Sequence, residues 1–250
     1  MGAWPLHTPQ GARVSSDRAE PTLSVVVPCY NEESCLKPTL DELVGVLSGS
    51  RFSWQVIVVD DGSQDRSTEV AAAFGNQDPR VSLVKHRHNM GSGQAIWTGI
   101  QHAVGRYVIY VPADGQFDHG EIPMFVEAAE NGADVVIGHR LSRDDYTLYR
   151  RTSSAVFLWL CNTLFEHQFQ DVNWVHLWRR DIFNSFEPRS RGVFFLEEIL
   201  VRARSLDKQV VEVPSLYRPR QGGKAKGGRP DVIAKTIAEM VQLWIERKLG

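Results

Sequence analysis

Asp114, Gln116 and Asp118 alternate along the short segment Asp114-Gly115-Gln116-Phe117-Asp118, which directly follows the apolar run Tyr107-Val108-Ile109-Tyr110-Val111. The run predicts a buried strand, so two carboxylates and an amide emerge together at its carboxyl end. Hard oxygen donors with an open face suit Mg²⁺ or Mn²⁺ held jointly with substrate phosphates. The same acids would serve equally as caps for the next helix. The elements that surround the segment decide between these uses.

Short β-branched or apolar runs at residues 23–27, 54–59, 81–84, 107–111 and 134–138 predict strands. Between them, helical spacing is expected over 32–47, 65–74, 93–104 and 122–131, with Leu36, Leu40, Leu43 and Leu47 on one face of the first helix and Ser63 or Asp65 capping the second. This alternation predicts an α/β fold, a mainly parallel sheet with helices on both faces. Beyond Arg140 the rhythm changes: an aromatic helix over 149–165, an extended piece over 173–179, a helix over 194–206 and a strand over 209–213. The stretch Arg218 to Pro230 is basic, glycine-rich and free of acids, which predicts a mobile loop. A final amphipathic helix over 232–248 would turn Ile233, Ile237, Met240, Trp244 and Leu249 to one side. The expected organisation is a disordered leader over 1–21, a catalytic domain over 22–220, a flexible basic loop over 221–230 and the C-terminal helix over 231–250.

Composition narrows the class. With 250 residues, 42% of them hydrophobic, the chain can bury one substantial core. A net charge of -2 argues against a nucleic-acid partner. Cys29, Cys35 and Cys161 form no C-x-x-C pair, which points to a reducing, cytosolic compartment. His86-x-His88 lacks further spaced ligands and reads as a polar strand end. The first twenty residues contain no apolar signal region, and the apolar window at 155–161 is too short to span a bilayer. A soluble or peripheral protein is expected.

Four polar features lie at predicted strand ends: Val27-Pro28-Cys29-Tyr30-Asn31-Glu32, Val59-Asp60-Asp61-Gly62-Ser63-Gln64-Asp65, Asn89-Met90-Gly91-Ser92-Gly93-Gln94-Ala95 and the Asp114 segment. Parallel strands align their carboxyl ends, so these should converge on one rim. There, Tyr30 can offer a ring face to a base. Asp60 or Asp61 can take a base N–H or a ribose hydroxyl, with one of the two serving as a cap. Gly91-x-Gly93 lacks the lysine of a P-loop and the third glycine of a dinucleotide fingerprint, so it is expected as a helix-start turn that brings backbone near the nucleotide.

In this order and spacing, these elements and Gly138-His139-Arg140 resemble the inverting GT-A glycosyltransferases of family two, including the polyprenyl-phosphate transferases related to dolichol-phosphate mannose synthase. The similarity runs from about Leu23 to Arg220. It implies a nucleotide pocket lined by Pro28, Tyr30, Glu32, Asp60 or Asp61, and Gly91. It further implies a divalent cation, Mg²⁺ or Mn²⁺, on Asp114 with help from Gln116. The family's first aspartate of this loop is Pro112 here, which should weaken metal binding or leave it to Asp114, Gln116 and water. Arg140 matches a position that meets phosphate, and His139 stands where a small residue is usual. Asp171 matches an acid near the acceptor side, and Arg179-Arg180 a basic pair after it. Arg220 and Lys224 are the expected phosphate contacts of the basic loop.

The implied activity is transfer of a hexose from a nucleotide-diphosphate sugar, UDP- or GDP-linked, to a polyprenyl phosphate. An anionic lipid phosphate attacks without a base, whereas a hydroxyl acceptor needs a carboxylate such as Glu197 or Glu198. Arg140, the aromatic helix and the basic loop favour the lipid phosphate, with the protein cytoplasmic or peripheral on the inner membrane face or bound to a membrane partner. The alternatives are the same fold acting on a small-molecule or glycan hydroxyl, or a non-catalytic nucleotide-sugar-binding subunit. A dinucleotide oxidoreductase is disfavoured by the incomplete glycine signature.

Overall fold

The structure is a computed structural model that describes residues 20–142, 146–220 and 230–249. Among the described residues, seven strands form one sheet in the order β3-β2-β1-β4-β6-β5-β7. The strands are β1 (Leu23–Cys29), β2 (Trp54–Asp60), β3 (Val81–Lys85), β4 (Tyr107–Tyr110), β5 (Val135–Arg140), β6 (His176–Arg179) and β7 (Val210–Ser215). The helices between and after them are α1 (Glu33–Ser48), α2 (Ser67–Gln77), α3 (Ser92–His102), α4 (Ile122–Glu130), α5 (Leu148–Phe165), α6 (Phe195–Ser205) and α7 (Pro230–Leu249). All neighbouring pairs are parallel except those of β6, which runs antiparallel to both β4 and β5. The expected α/β architecture is therefore observed, with one reversed strand inserted.

The sheet is buried on both faces because β1, β2 and β4 carry apolar side chains at almost every position. One core joins the sheet to α1 and α4, and Leu36, Leu40, Leu43 and Leu47 are fully buried in it, as their spacing predicts. The other joins the opposite face to α3, α5, α6 and α7. Helix α7 corrects the expected face. Met240 is buried and Trp244 packs on the same core, as expected, but Thr236 and Leu243 join them while Ile237 and Leu249 are exposed. Glu239 and Glu246 bond Ser190 and Arg189 of the segment before α6. Residues 1–19 of the expected leader lie outside the described residues. Glu20 and Pro21 do not: Arg106 N donates to Pro21 O and Arg180 pairs with Glu20.

The strand order reverses between β1 and β4. In open sheets the crevice outside the carboxyl ends at such a switch is where ligands bind. Glu32 follows β1 there and Asp114 follows β4.

Candidate active site

The turns after β1 and β2 are laced together by their polar side chains. Asn31 takes a left-handed conformation (φ 52°), its N–H donates to Ser63 Oγ, and its Oδ1 accepts from Gln64 N. Glu32 N donates to Ser67 Oγ and Glu33 N to Asp65 Oδ2. Asp65 also accepts from Ser67 N, but the N-cap of α2 is Arg66, one place beyond the anticipated residue. This lacing holds Pro28, Tyr30 and Glu32 beside the second loop.

Asp60 and Asp61 both reach the rim with carboxylates that already have internal partners. Asp60 Oδ1 accepts from Ser63 N at 2.8 Å, and Oδ2 accepts from the Thr68 hydroxyl. Asp61 accepts from Met90 N and Gly91 N at 2.9 Å each and faces His86 Nδ1 at 2.7 Å. His86 Nε2 in turn meets Thr98 Oγ1, so the histidine is a polar strand end, as its spacing suggests. Gly91 has φ 99°, and a Cβ there would lie 2.6 Å from Arg191 O. At Gly93 a Cβ would meet Gly192 O and Phe195 Cβ, both at 2.7 Å. The glycine pair thus admits the 191–195 segment against the start of α3, where Gln94 N donates to Arg191 O. This close packing explains both glycines without a phosphate.

The Asp114 loop is held from three sides. Thr39 Oγ1 donates to Ala113 O, Gln116 N donates to Asp114 Oδ1 at 3.2 Å, and Phe117 forms an antiparallel bridge with Tyr217. Arg218 N donates to Gln116 O, while the Gln116 amide donates to the Tyr217 hydroxyl. Asp118 is a cap and an ion-pair partner, accepting from Gly120 N and meeting Arg218 at 2.9 Å. Arg218 also pairs with Glu42, tying the strap after β7 to α1. That strap delivers Arg220, whose guanidinium donates to Asp114 Oδ2 at 3.2 Å and to the Glu32 carboxylate. Burial raises the Asp114 pKa, opposed chiefly by the charge of Arg220.

Arg140 lies beside this cluster but turns away from it. Its Nε and Nη2 donate to the two Asp171 oxygens at 2.6 and 2.9 Å, and Nη1 donates to Tyr146 Oη at 2.7 Å. Burial would lower the Arg140 pKa, but the hydrogen bonds to Asp171 outweigh it and raise it. The guanidinium carbon lies 5.0 Å from the Trp174 ring centroid, and Tyr217 packs on the same indole at 5.4 Å. Trp174 Nε1 donates to Ser215 Oγ, which donates to Glu121. Tyr217, Tyr146 and Ser215 were not singled out in the sequence. Ser215 and Tyr217 stand two apart at the end of β7, a spacing that puts both on one face.

Other expected residues fall elsewhere. Arg179 and Arg180 lie at the opposite end of the strands from the rim, because antiparallel β6 carries its carboxyl end there. They pair with Asp134, Asp181 and Glu20 and with the Gly105 carbonyl. Lys224 and the rest of 221–229 lie outside the described residues. In the first turn of α6, Glu198 accepts from Arg189 N and Ser190 N and pairs with Arg202. Glu197 is fully buried beside the Cys161 thiol, with His167 Nε2 4.0 Å away, and burial lifts its pKa to about 8. Neither carboxylate is offered to the rim.

The model of Glycosyl transferase family 2 matches residues 24–190. The undecaprenyl-phosphate 4-deoxy-4-formamido-L-arabinose transferase of Edwardsiella ictaluri is 31% identical over 208 residues, which is 82% of this chain and 63% of that protein. The chain therefore spans under two thirds of the length of that relative. A dolichyl-phosphate beta-glucosyltransferase of Trichomonas vaginalis is 29% identical over 94% of this chain and 76% of its own length. Among solved structures, glucosyl-3-phosphoglycerate synthase of Mycobacterium tuberculosis in complex with UDP superposes with a TM-score of 0.70 at 19% identity, over 90% of this chain and 80% of that one. The same enzyme was also solved with Mn²⁺, UDP-glucose and phosphoglyceric acid.

Proposed function

Because the chain belongs to glycosyl transferase family 2 and is a glycosyltransferase, we propose that it transfers a hexose, with inversion, from a nucleotide-diphosphate sugar to a polyprenyl phosphate. The observation that carries the proposal is the convergence of Glu32, Asp114 and Arg220 on one point at the switch between β1 and β4. Relatives named for undecaprenyl- and dolichyl-phosphate transfer support the acceptor class.

The donor set fits a divalent cation. Asp114 and Glu32 already surround a positive group, the Arg220 guanidinium, and the Gln116 carbonyl belongs to the same loop. An ion on Asp114 and Gln116 would be completed by phosphate oxygens and water. Asp114 and Gln116 would hold Mg²⁺ or Mn²⁺, and such an ion offsets the charge that builds on the departing nucleoside diphosphate. Pro112 contributes no ligand and Asp118 is committed to Gly120 N and Arg218, so Asp114 is the loop's carboxylate left for the ion.

The chain's own residues account for the rest. Arg220, and Lys224 from the adjoining loop, would meet the diphosphate, where an arginine fork binds two oxygens at once. Tyr30 would stack on the base, with Pro28, Glu32, Gly91 and the Asp60–Asp61 turn shaping its pocket. Arg140, buttressed by Asp171 and aromatic rings, would set the wall on the acceptor side. Both acids that open α6 are withdrawn into structure, which favours an acceptor needing no base, an already ionised phosphate.

A peripheral seat on an anionic membrane completes the reading. No helix among the described residues is long and apolar enough to cross a membrane. Helix α5 contains no acid and exposes Leu148, Tyr149, Val156 and Trp159, with Arg150 and Arg151 in its first turn. Helix α7, which touches α5, exposes Ile237, Val241 and Ile245 at helical spacing. Such a face suits a lipid–water boundary. The test is to incubate the full chain with nucleotide sugars and Mn²⁺, with and without polyprenyl phosphate in anionic vesicles. Release of nucleoside diphosphate only with the lipid is expected. Equal release with a sugar or small-molecule hydroxyl acceptor overturns the acceptor, and no turnover with any acceptor favours a nucleotide-sugar-binding subunit.

A further inference from the structure

We propose that Arg220 and the divalent cation are alternative partners of Asp114 Oδ2. The free protein then holds Arg220 against Asp114 and Glu32 and takes up the cation chiefly together with the nucleoside diphosphate. This rests on the assignment of the metal to Asp114 and adds how that site is regulated.

The two oxygens of Asp114 have different tasks. Oδ1 accepts the Gln116 N–H at 3.2 Å, a contact that fixes the loop. Oδ2 is the oxygen left for a cation, and it is the one Arg220 Nη1 meets at 3.2 Å. The same guanidinium reaches the Glu32 carboxylate through Nη2. All three side chains are largely buried, at 17% exposure for Arg220, 10% for Glu32 and 14% for Asp114. In so dry a place charges act on each other at low effective dielectric, so a guanidinium and a divalent ion on one oxygen repel strongly. With Pro112 at the preceding acid position and Asp118 engaged by Gly120 N and Arg218, the loop has no other carboxylate to divide between them. Competition therefore falls wholly on Asp114.

The nucleoside diphosphate resolves the competition because it brings its own anionic oxygens. Arg220 can exchange Asp114 for phosphate, where its planar fork is matched by two oxygens. That exchange frees Oδ2 for the ion, so cation and nucleotide each assist the binding of the other. Glu32 holds Arg220 in the free state, a role distinct from lining the nucleotide pocket.

The test is Mn²⁺ binding to the full chain, read from the loss of the free-ion electron paramagnetic resonance signal, first without nucleotide. We expect weak binding to the wild type and binding tighter by about tenfold or more in Arg220→Gln, the range of ordinary site–site coupling. Arg220→Ala, which also removes the competing cation, should give the same tightening, whereas Glu32→Gln takes a negative charge from the site and should give none. Circular dichroism and thermal melting verify that the variants are folded, and the two substitutions of Arg220 guard against a local collapse in either. Asp114→Asn should remove the Mn²⁺ site in the wild type and in Arg220→Gln. If Arg220→Gln and Arg220→Ala bind Mn²⁺ no more tightly than the wild type while Asp114→Asn still weakens binding, the competition is overturned and the metal assignment stands. If UDP and GDP each fail to produce any binding that depends on Asp114, both are overturned.

Discussion

Two arginine–carboxylate contacts are joined through Tyr217 and the Asp114 loop, and they are built for opposite ends. Arg140 projects from the end of a hydrogen-bonded strand, is 7% exposed, and grips both oxygens of Asp171 while tyrosine and tryptophan rings close around it. Arg220 ends a strap beyond β7, is more open at 17%, and divides its guanidinium between two acids from different loops. The first contact has one mutually satisfied geometry. The second brings together groups that each have a further partner in the proposed reaction. Identical chemistry thus yields a fixed strut in one place and an exchangeable contact in the other, and the difference lies in the backbone that carries each arginine.

The largest effect is expected from breaking the strut. Asp171→Ala leaves the Arg140 charge buried without its counter-ion, which should cost about 3–5 kcal/mol of stability. Urea denaturation reads this as a lower midpoint at unchanged slope. A loss below about 1 kcal/mol, the range of exposed ion pairs, would remove the distinction between the two contacts. At the other contact the burden shifts from folding to turnover. Asp114→Ala should lower sugar transfer by on the order of 10²–10³-fold, the scale of losing one preorganised electrostatic element. Its melting temperature should stay near that of the wild type, because the carboxylate is already held at a cost of burial. Near-normal transfer by Asp114→Ala would sink the site.

A third buried carboxylate sharpens the comparison because it has no arginine at all. Glu197 lies in the α5–α6 core beside the Cys161 thiol, and burial raises its pKa from 4.5 to about 8. The folded state therefore keeps a proton that the unfolded chain gives up, so folding binds a proton between these values. The associated penalty is absent below the unfolded value, grows as pH rises through the window from 4.5 to about 8, and is full above it. Glu197→Gln should remove it, making the variant more stable than the wild type by about 2–4 kcal/mol near neutrality, the linkage free energy of the raised pKa at that pH. The two should converge near pH 4.5. Parallel denaturation midpoints across that range would show that Glu197 is ionised and paired.

Much of this arrangement is legible in the sequence, for physical reasons that differ by element. The leucines of α1 and the β-branched runs of β1 and β2 announce themselves because helical and strand periodicity are local. Convergence of the first four strand-end loops follows from parallel alignment alone. What escaped depends on partners far along the chain. Nothing local to Arg179 and Arg180 reveals that β6 runs backwards and takes them to the far end of the strands. The glycines at 91 and 93 look like a nucleotide turn until the 191–195 segment is seen against them. The periodicity of α7 supplies an apolar arc wider than the surface it covers, so Ile237 belongs to the arc without being packed.

Tyr217 is the most instructive of these omissions, and it supports the mildest test. Its ring packs on Trp174 within the Arg140 cluster, its backbone pairs with Phe117, and its hydroxyl accepts from the Gln116 amide. It is therefore the physical link between the strut and the exchangeable contact. Tyr217→Phe keeps the ring and the bridge but removes one hydrogen-bond acceptor, so its cost to folding should be about 0.5–1.5 kcal/mol. The informative readout is the metal requirement. With the amide released, Gln116 no longer holds its carbonyl in place, and the Mn²⁺ concentration for half-maximal transfer should rise several-fold while the maximal rate at saturating Mn²⁺ changes little. A lower maximal rate at unchanged Mn²⁺ requirement would instead mean that Tyr217 acts on the Arg140 side. Because one hydroxyl is all that differs, the direction of that split assigns Tyr217 to one region or the other.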